Sequence, residues 1–389
     1  MSSHTEQTVS DNDREIAEFT ALGTESRIAE IDEKWPRIAE LLDRRQLSGI
    51  LLRRHENIAW ATAGAVEARV AIPSETAVTS LLLLRDGRKY YLAPNNEAAR
   101  LADEEFAGLG YEPVIASWYE NDLNAVRRIV SDGAIGTDST AEGLISINLA
   151  PLRTPLTAGE IARLHWLAQH TADATITALT ELKPGMTEFE MSAAVAAPLI
   201  AQGILPTVLL MAADNRIYKY KHAVSRGAVL DRYGMLNLCA RKWGLAVSIT
   251  RFVHFGPPPQ QLVDAFAACA VVNARLLHAS RAGATASELF TVAKEAYRDT
   301  GFAGEEELHH QGGPIGYIER EWVATPAGNQ TLTASEALAW NPSIRGAKVE
   351  DTALLQNGSI DVLTKTPSLP EMQIAIEGVI YPAANVLIR

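Results

Sequence analysis

The chain has 389 residues, 47% of them hydrophobic and 21% charged, a length and balance that suit two or three globular domains. Its formal charge of -12 argues against non-specific attraction to nucleic acid or to anionic lipid, because both need clustered Lys and Arg. The two cysteines, Cys239 and Cys269, are too few and too far apart for a disulfide framework or a Cys-x-x-Cys metal site.

Residues 1–22 are polar and acidic, lack the apolar stretch of a signal peptide, and are expected to form a mobile arm. Residues 24–45 carry Ile28, Ile31, Trp35, Ile38, Leu41 and Leu42 at helical spacing. Pro36 falls inside that pattern and predicts a kink or two shorter helices. Residues 47–52 read as a buried strand that leads into Arg53-Arg54-His55-Glu56-Asn57. A hairpin follows, with strands over 77–84 and 90–92 around the turn Arg85-Asp86-Gly87-Arg88. These elements predict an α/β domain over residues 23–154 and a second domain over 155–389.

The second domain is expected to open on a helix after Thr157, whose spacing to Glu160 is that of a capping box. Gly185-Met186-Thr187 with Glu190 shows the same pattern. Ninety-eight positions later, Gly283-Ala284-Thr285 with Glu288 repeats it, again after a long helical stretch. Two copies in one supersecondary setting point to an internal duplication. The longest apolar tract, residues 193–210, is broken by Pro198, Gln202, Gly203, Pro206 and Thr207. No membrane span is therefore expected, and the cytoplasm is the expected compartment.

Four segments of the second domain resemble motifs of a known family. The stretch from Met235 to Gly256, with Asn237, Ser248, Thr250 and Arg251, is similar to a D-x-G…D-x-T-R…G pattern. Gly312-Gly313-Pro314-Ile315-Gly316 with Arg320-Glu321 resembles G-H-G-I-G…H-E. Trp340-Asn341-Pro342 resembles an E-P motif, and Glu350-Asp351-Thr352 an E-D-T motif. In this order they resemble the creatinase and aminopeptidase P (M24, pita-bread) superfamily. The resemblance implies an N-terminal creatinase-like α/β domain and a C-terminal pita-bread domain with an internal pseudo-twofold. It also implies a homodimer with each site completed across the interface. By approximate position, Arg69, on the loop between Gly64 and Pro73, is the residue offered to the partner, with Arg53, Arg54, Glu56 and Asn57 nearby.

Metal-dependent members of that family hold two divalent ions with two Asp, one His and two Glu. Matched position by position, Asn237, Ser248, Gly313 and Asn341 stand at four of those places and Glu350 alone is retained. Arg320 stands where the family has a substrate-contacting His. One carboxylate cannot offset two divalent cations, so no metal and no other cofactor is expected.

Lys221-His222 resembles the family's substrate-contacting His segment, and His222 is the candidate proton shuttle, a structural histidine being the alternative. Glu350 and Glu321 are candidate catalytic carboxylates. Each is equally readable as an ion-pair partner, Glu350 of Lys348 or Arg251 and Glu321 of Arg320. Asn237, Asn341, Arg320, Arg251, Lys221, Tyr317 and Arg69 are candidate substrate-binding residues. Lys219, Lys221, Arg251 and Arg320 concentrate positive charge and suggest an acidic or amino-acid-like ligand. His309 and His310, read as neighbours on a strand, are expected to face opposite ways and so not to chelate one ion.

Three functions fit these residues. One is a metal-independent creatinase-like hydrolase or lyase that cleaves a C–N bond in a small polar substrate. The second is an Xaa-Pro-type metallopeptidase with a degenerate mononuclear site. The third is a non-catalytic protein that binds a ligand or partner.

Overall fold

The computed structural model describes residues 23–389, so the arm expected over residues 1–22 lies outside the described residues. Two compact units result. The first reaches to Leu152 and takes in Thr157–Trp166; the second comprises Arg153–Leu156 and Leu167–Arg389.

In the first unit, helix α1 (Thr24–Arg45) runs through Pro36 as one element, where a break into two was open. Pro36 lies on the exposed face, so the carbonyl it leaves without an N–H partner can meet water. The buried stripe of Ile31, Ile38, Leu41 and Leu42 continues on both sides of it. Lys34 anchors the helix from within. Its ammonium is 1% exposed and reaches Glu30 and Glu160, each at 2.7 Å, and donates to the Trp60 carbonyl at 3.0 Å. Arg163 closes the network with two bonds to Glu30 at 2.7 and 2.9 Å. This network explains why Thr157–Trp166 belongs with the first unit.

The sheet of this unit contains β1 (Gly49–Arg54), β2 (Thr76–Leu84), β3 (Lys89–Pro94), β4 (Glu112–Ala116), β5 (Ile135–Thr137) and β6 (Ile145–Ser146). Its strand order is β4-β3-β2-β1-β5-β6. Leu51, Leu82, Leu84, Leu92 and Ile135 pack there against Val126 of α3 (Asp122–Ile129). Helix α2 (His55–Ala61) follows β1 directly.

The second unit shows the duplication. Helix α4 (Ala158–Glu181) enters it and precedes α5 (Glu188–Ile200). Strands β7 (Leu205–Ala213), β8 (Tyr233–Lys242) and β9 (Leu245–His254) come next. The second copy has α6 (Gln260–Ala279) and α7 (Ala286–Asp299), then β10 (Gly312–Ile315) and β11 (Ser335–Trp340). The hairpin β12 (Ser343–Ile344) and β13 (Ala347–Lys348) precedes β14 (Asp351–Gln356) and β15 (Ser359–Val362). A last hairpin, β16 (Glu371–Ile376) and β17 (Val379–Ala384), leads to β18 (Leu387–Ile388), which pairs parallel with β9. Thr187 and Thr285 form complete capping boxes with Glu190 and Glu288, and each makes a backbone bridge, to Val229 and Thr331 respectively. Helix α6, not the 193–210 tract, has a membrane-span-like length and composition among the described residues. Its Leu262, Phe266, Cys269, Val272 and Leu276 are buried in the core of this unit.

Candidate functional site

The site lies where the two half-sheets of the second unit meet. Strands β8 and β9 pair antiparallel, with Asn237 opposite Thr250 and Cys239 opposite Ser248. Side chains two residues apart share a face, so Asn237, Cys239, Ser248 and Thr250 all point the same way. The other half-sheet is stitched to β9 by Thr250 N–H to the Glu350 carbonyl (3.1 Å) and Ser248 N–H to Thr352 Oγ1 (2.7 Å). Glu350 is thereby delivered to the same face.

Glu350 is fully buried, and donors cover both of its oxygens. Oε2 accepts from Asn237 Nδ2 and Thr250 Oγ1, each at 2.7 Å, and lies 2.9 Å from Lys348 Nζ. Oε1 accepts from Arg320 Nη2 at 2.7 Å. Burial alone would push this carboxyl up. The Lys348 and Arg320 cations, with the hydrogen bonds, outweigh it and hold the group well below the usual carboxylate range. The Arg320 guanidinium also donates to Ser248 Oγ at 3.2 Å. The protein's own cations thus sit on the residues that the resemblance matches to metal ligands.

The paired-ion site implied by that resemblance does not fit these residues. Asn237 presents its amide N–H₂, not an anionic oxygen, to Glu350. Asn341 Oδ1 is buried without a hydrogen-bond partner. Gly313 leaves no room for a histidine, since a Cβ built there would lie 2.1 Å from the Trp322 carbonyl oxygen. The Lys348 ammonium and the Arg320 guanidinium already occupy the single remaining carboxylate.

Beside this network lies a histidine cluster. His222 is exposed, and its Nε2 is 3.0 Å from His309 Nε2. The His309 and His310 rings stack with centroids 4.4 Å apart at 27°, and His310 lies 6.0 Å from His222. The expectation that His309 and His310 face opposite ways is therefore wrong. They precede β10 on an irregular segment, where strand alternation does not apply. Gln311 holds that segment by donating to the His309 carbonyl at 2.6 Å, and its own Oε1 accepts from Tyr297 Oη at 2.9 Å. Burial first, then the Lys348 charge, pushes His309 down to about 2. Burial, Arg320 and Lys348 push His310 down to about 4, and His222 is lowered by burial and Lys348. Neutral imidazoles prevail at pH 7.

The remaining predicted residues fall elsewhere. The Glu321 side chain is 1% exposed and held by Arg153 through bonds of 3.0 and 2.6 Å, an ion pair other than the Arg320 one weighed from the sequence. Tyr317 is fully buried, and its N–H donates to that same Glu321 at 3.1 Å. Arg251 is buried with Asp351 at 2.7 Å and bonds the Thr364 carbonyl and Thr366 Oγ1, so it is a structural corner and not the partner of the Glu350 carboxylate. Lys221 reaches Glu305 at 2.7 Å and the Ser343 carbonyl at 2.9 Å, tying the His222 turn to the turn before His309. Arg69 lies in the first unit, bonded to both carboxylate oxygens of Glu67 at 2.9 Å. There too, Arg53 pairs with Asp122 and Arg54 with Glu56, while Asn57 donates to Asp138 at 2.9 Å. The Lys348 pairing offered for Glu350 is present, whereas sequence reasoning missed Thr250 and Arg320 as direct Glu350 partners and His309 and His310 as site residues.

Comparison with known proteins agrees with this architecture. The metallopeptidase family M24 matches residues 164–357. The Xaa-Pro dipeptidase of Pyrococcus furiosus is 24% identical over 224 residues, which cover 55% of this chain and just under two thirds (64%) of the relative. Among solved structures, an Xaa-Pro dipeptidase from Bacillus anthracis aligns with a TM-score of 0.70 at 19% identity. That alignment covers 92% of this chain and 100% of that one. Dipeptidase PepE from Mycobacterium ulcerans aligns with a TM-score of 0.72 at 17% identity, covering 87% and 97%. With motif order, duplicated fold and family match in agreement, this chain belongs to the M24, pita-bread superfamily as a divergent member that lacks most of the metal-binding residues.

Proposed function

We propose that this chain is a hydrolase that cleaves a C–N bond in a small amino-acid-like molecule without the paired metal ions of its family. The observation that carries the reading is the state of Glu350, whose oxygens are taken by Lys348, Arg320, Asn237 and Thr250. A carboxylate so saturated and so acidic is a poor base, so its role is to fix two cations in place. Of the polar groups beside it, the imidazole of His222 is the one open to solvent. In this scheme His222 takes a proton from the attacking water as the C–O bond forms. It returns that proton to the leaving nitrogen as the C–N bond breaks. His309, hydrogen-bonded to His222 and kept neutral, orients the ring. Arg320 and Lys348 leave one positive charge in excess over Glu350, which favours a substrate with a carboxylate. Relatives named as Xaa-Pro dipeptidases support an amide as the bond broken.

The test is turnover by protein dialysed against EDTA, on a panel of Xaa-Pro dipeptides, N-acyl amino acids and guanidino acids. One class of substrate is expected to be cleaved in EDTA, and His222→Ala to lower that rate by about 100-fold or more. Cleavage that appears only after a divalent ion is added would replace this reading with the mononuclear Xaa-Pro metallopeptidase, which the family match favours.

A further inference from the structure

The histidine cluster has the composition of a metal site quite apart from the family's own ligand positions. One nitrogen from each of His222, His309 and His310 lies within 4.8 Å of the others. A tetrahedral ion with Zn–N bonds near 2.0–2.1 Å needs its nitrogens about 3.3 Å apart. The His222–His309 pair, at 3.0 Å, is already close to that spacing. Rotation of the exposed His222 ring can bring the third distance in. His310 Nδ1 is buried without a hydrogen-bond partner, an arrangement that costs free energy unless something coordinates or bonds it. Metal ligands require neutral imidazole, and burial beside Lys348 and Arg320 keeps these rings unprotonated at neutral pH. Gln311, itself held by Tyr297, bonds the His309 carbonyl and so supports the segment that carries the two half-buried ligands.

We propose that His222, His309 and His310 bind one transition-metal ion of the Zn²⁺, Ni²⁺ or Cu²⁺ type, with a fourth position open to solvent. Hard ions such as Mg²⁺ and Mn²⁺ are excluded by the ligand set, which offers three neutral nitrogens and no free carboxylate. Lys348 and Arg320 oppose any cation, but both are paired with Glu350, and borderline ions bind imidazole strongly enough to tolerate the remaining charge. A bound ion takes the nitrogen lone pairs and breaks the His222–His309 hydrogen bond. It therefore silences the proton exchange proposed above, a regulatory consequence that rests on that reading. The binding itself does not.

Calorimetric titration of the EDTA-dialysed full chain with ZnCl₂, in the absence of substrate, tests the site. One equivalent is expected, and His222→Ala and His310→Ala are each expected to weaken binding by about 100-fold or more. His222 is exposed, so its replacement leaves the fold intact, and a thermal melt in parallel checks the variant at the half-buried His310. Binding of two equivalents, no saturable binding up to millimolar Zn²⁺, or unchanged affinity in His222→Ala would overturn the proposal. Inhibition by Zn²⁺ of the EDTA-resistant turnover is scored separately, so failure of the catalytic reading leaves the binding result standing.

Discussion

Single residues decide the chemistry of this protein. Glu336 is a buried acid outside the site, with Oε2 accepting from Thr333 N–H at 2.7 Å and Oε1 without a hydrogen-bond partner. Burial pushes its carboxyl up to about 7. A folded-state value above the unfolded one means that the folded protein holds the extra proton. The stabilisation is full below the unfolded value and is lost as pH rises through about 7. The expected size is about 3 kcal/mol across that window. Glu336→Gln should flatten the fall in stability between mildly acidic and neutral pH, as read by urea unfolding at several pH values; parallel curves for the two proteins would count against it. Gly313→Ala should destabilise by about 1–3 kcal/mol or more, because its methyl meets the Trp322 backbone, and thermal unfolding measures this. Substitutions at ligand positions were legible from the sequence, since each is a letter in a known motif. The saturation of Glu350 was not, because it depends on Asn237, Thr250 and Arg320 arriving from three other segments.

At the scale of elements, the most legible features were the local ones. Thr187–Glu190 and Thr285–Glu288 form the reciprocal bonds that their spacing implies, with the hydroxyl taking the third N–H of the helix and the carboxylate the threonine N–H. Thr187→Ala and Thr285→Ala should each cost about 1 kcal/mol, and Thr→Ser much less, by denaturant unfolding. Equal losses for Ala and Ser at either site would deny the capping role. The His309-His310 segment was misread because its neighbours resemble a strand motif that begins only at Gly312. Pro36 does not divide its helix into the two shorter ones that were open. Its helix persists because the buried stripe and the Lys34 network hold both halves, a tertiary effect that a local rule cannot contain.

For the molecule as a whole, motif order carried the fold, and the two capped repeats carried its internal symmetry. What sequence alone concealed is that charge is managed by internal pairing in both units. Lys34 serves Glu30 and Glu160 in the first as Lys348 and Arg320 serve Glu350 in the second. Lys34→Met should destabilise by about 3–5 kcal/mol, since it strands buried carboxylates, and a loss near zero in calorimetric unfolding would show that Arg163 suffices. Gly313 also bears on what could be built into this fold. A histidine at position 313, where the resemblance has one, would need the Trp322 backbone to move as well as one codon to change. Engineering a paired-ion site into this protein would therefore mean rebuilding the stretch around Trp322 before replacing any ligand.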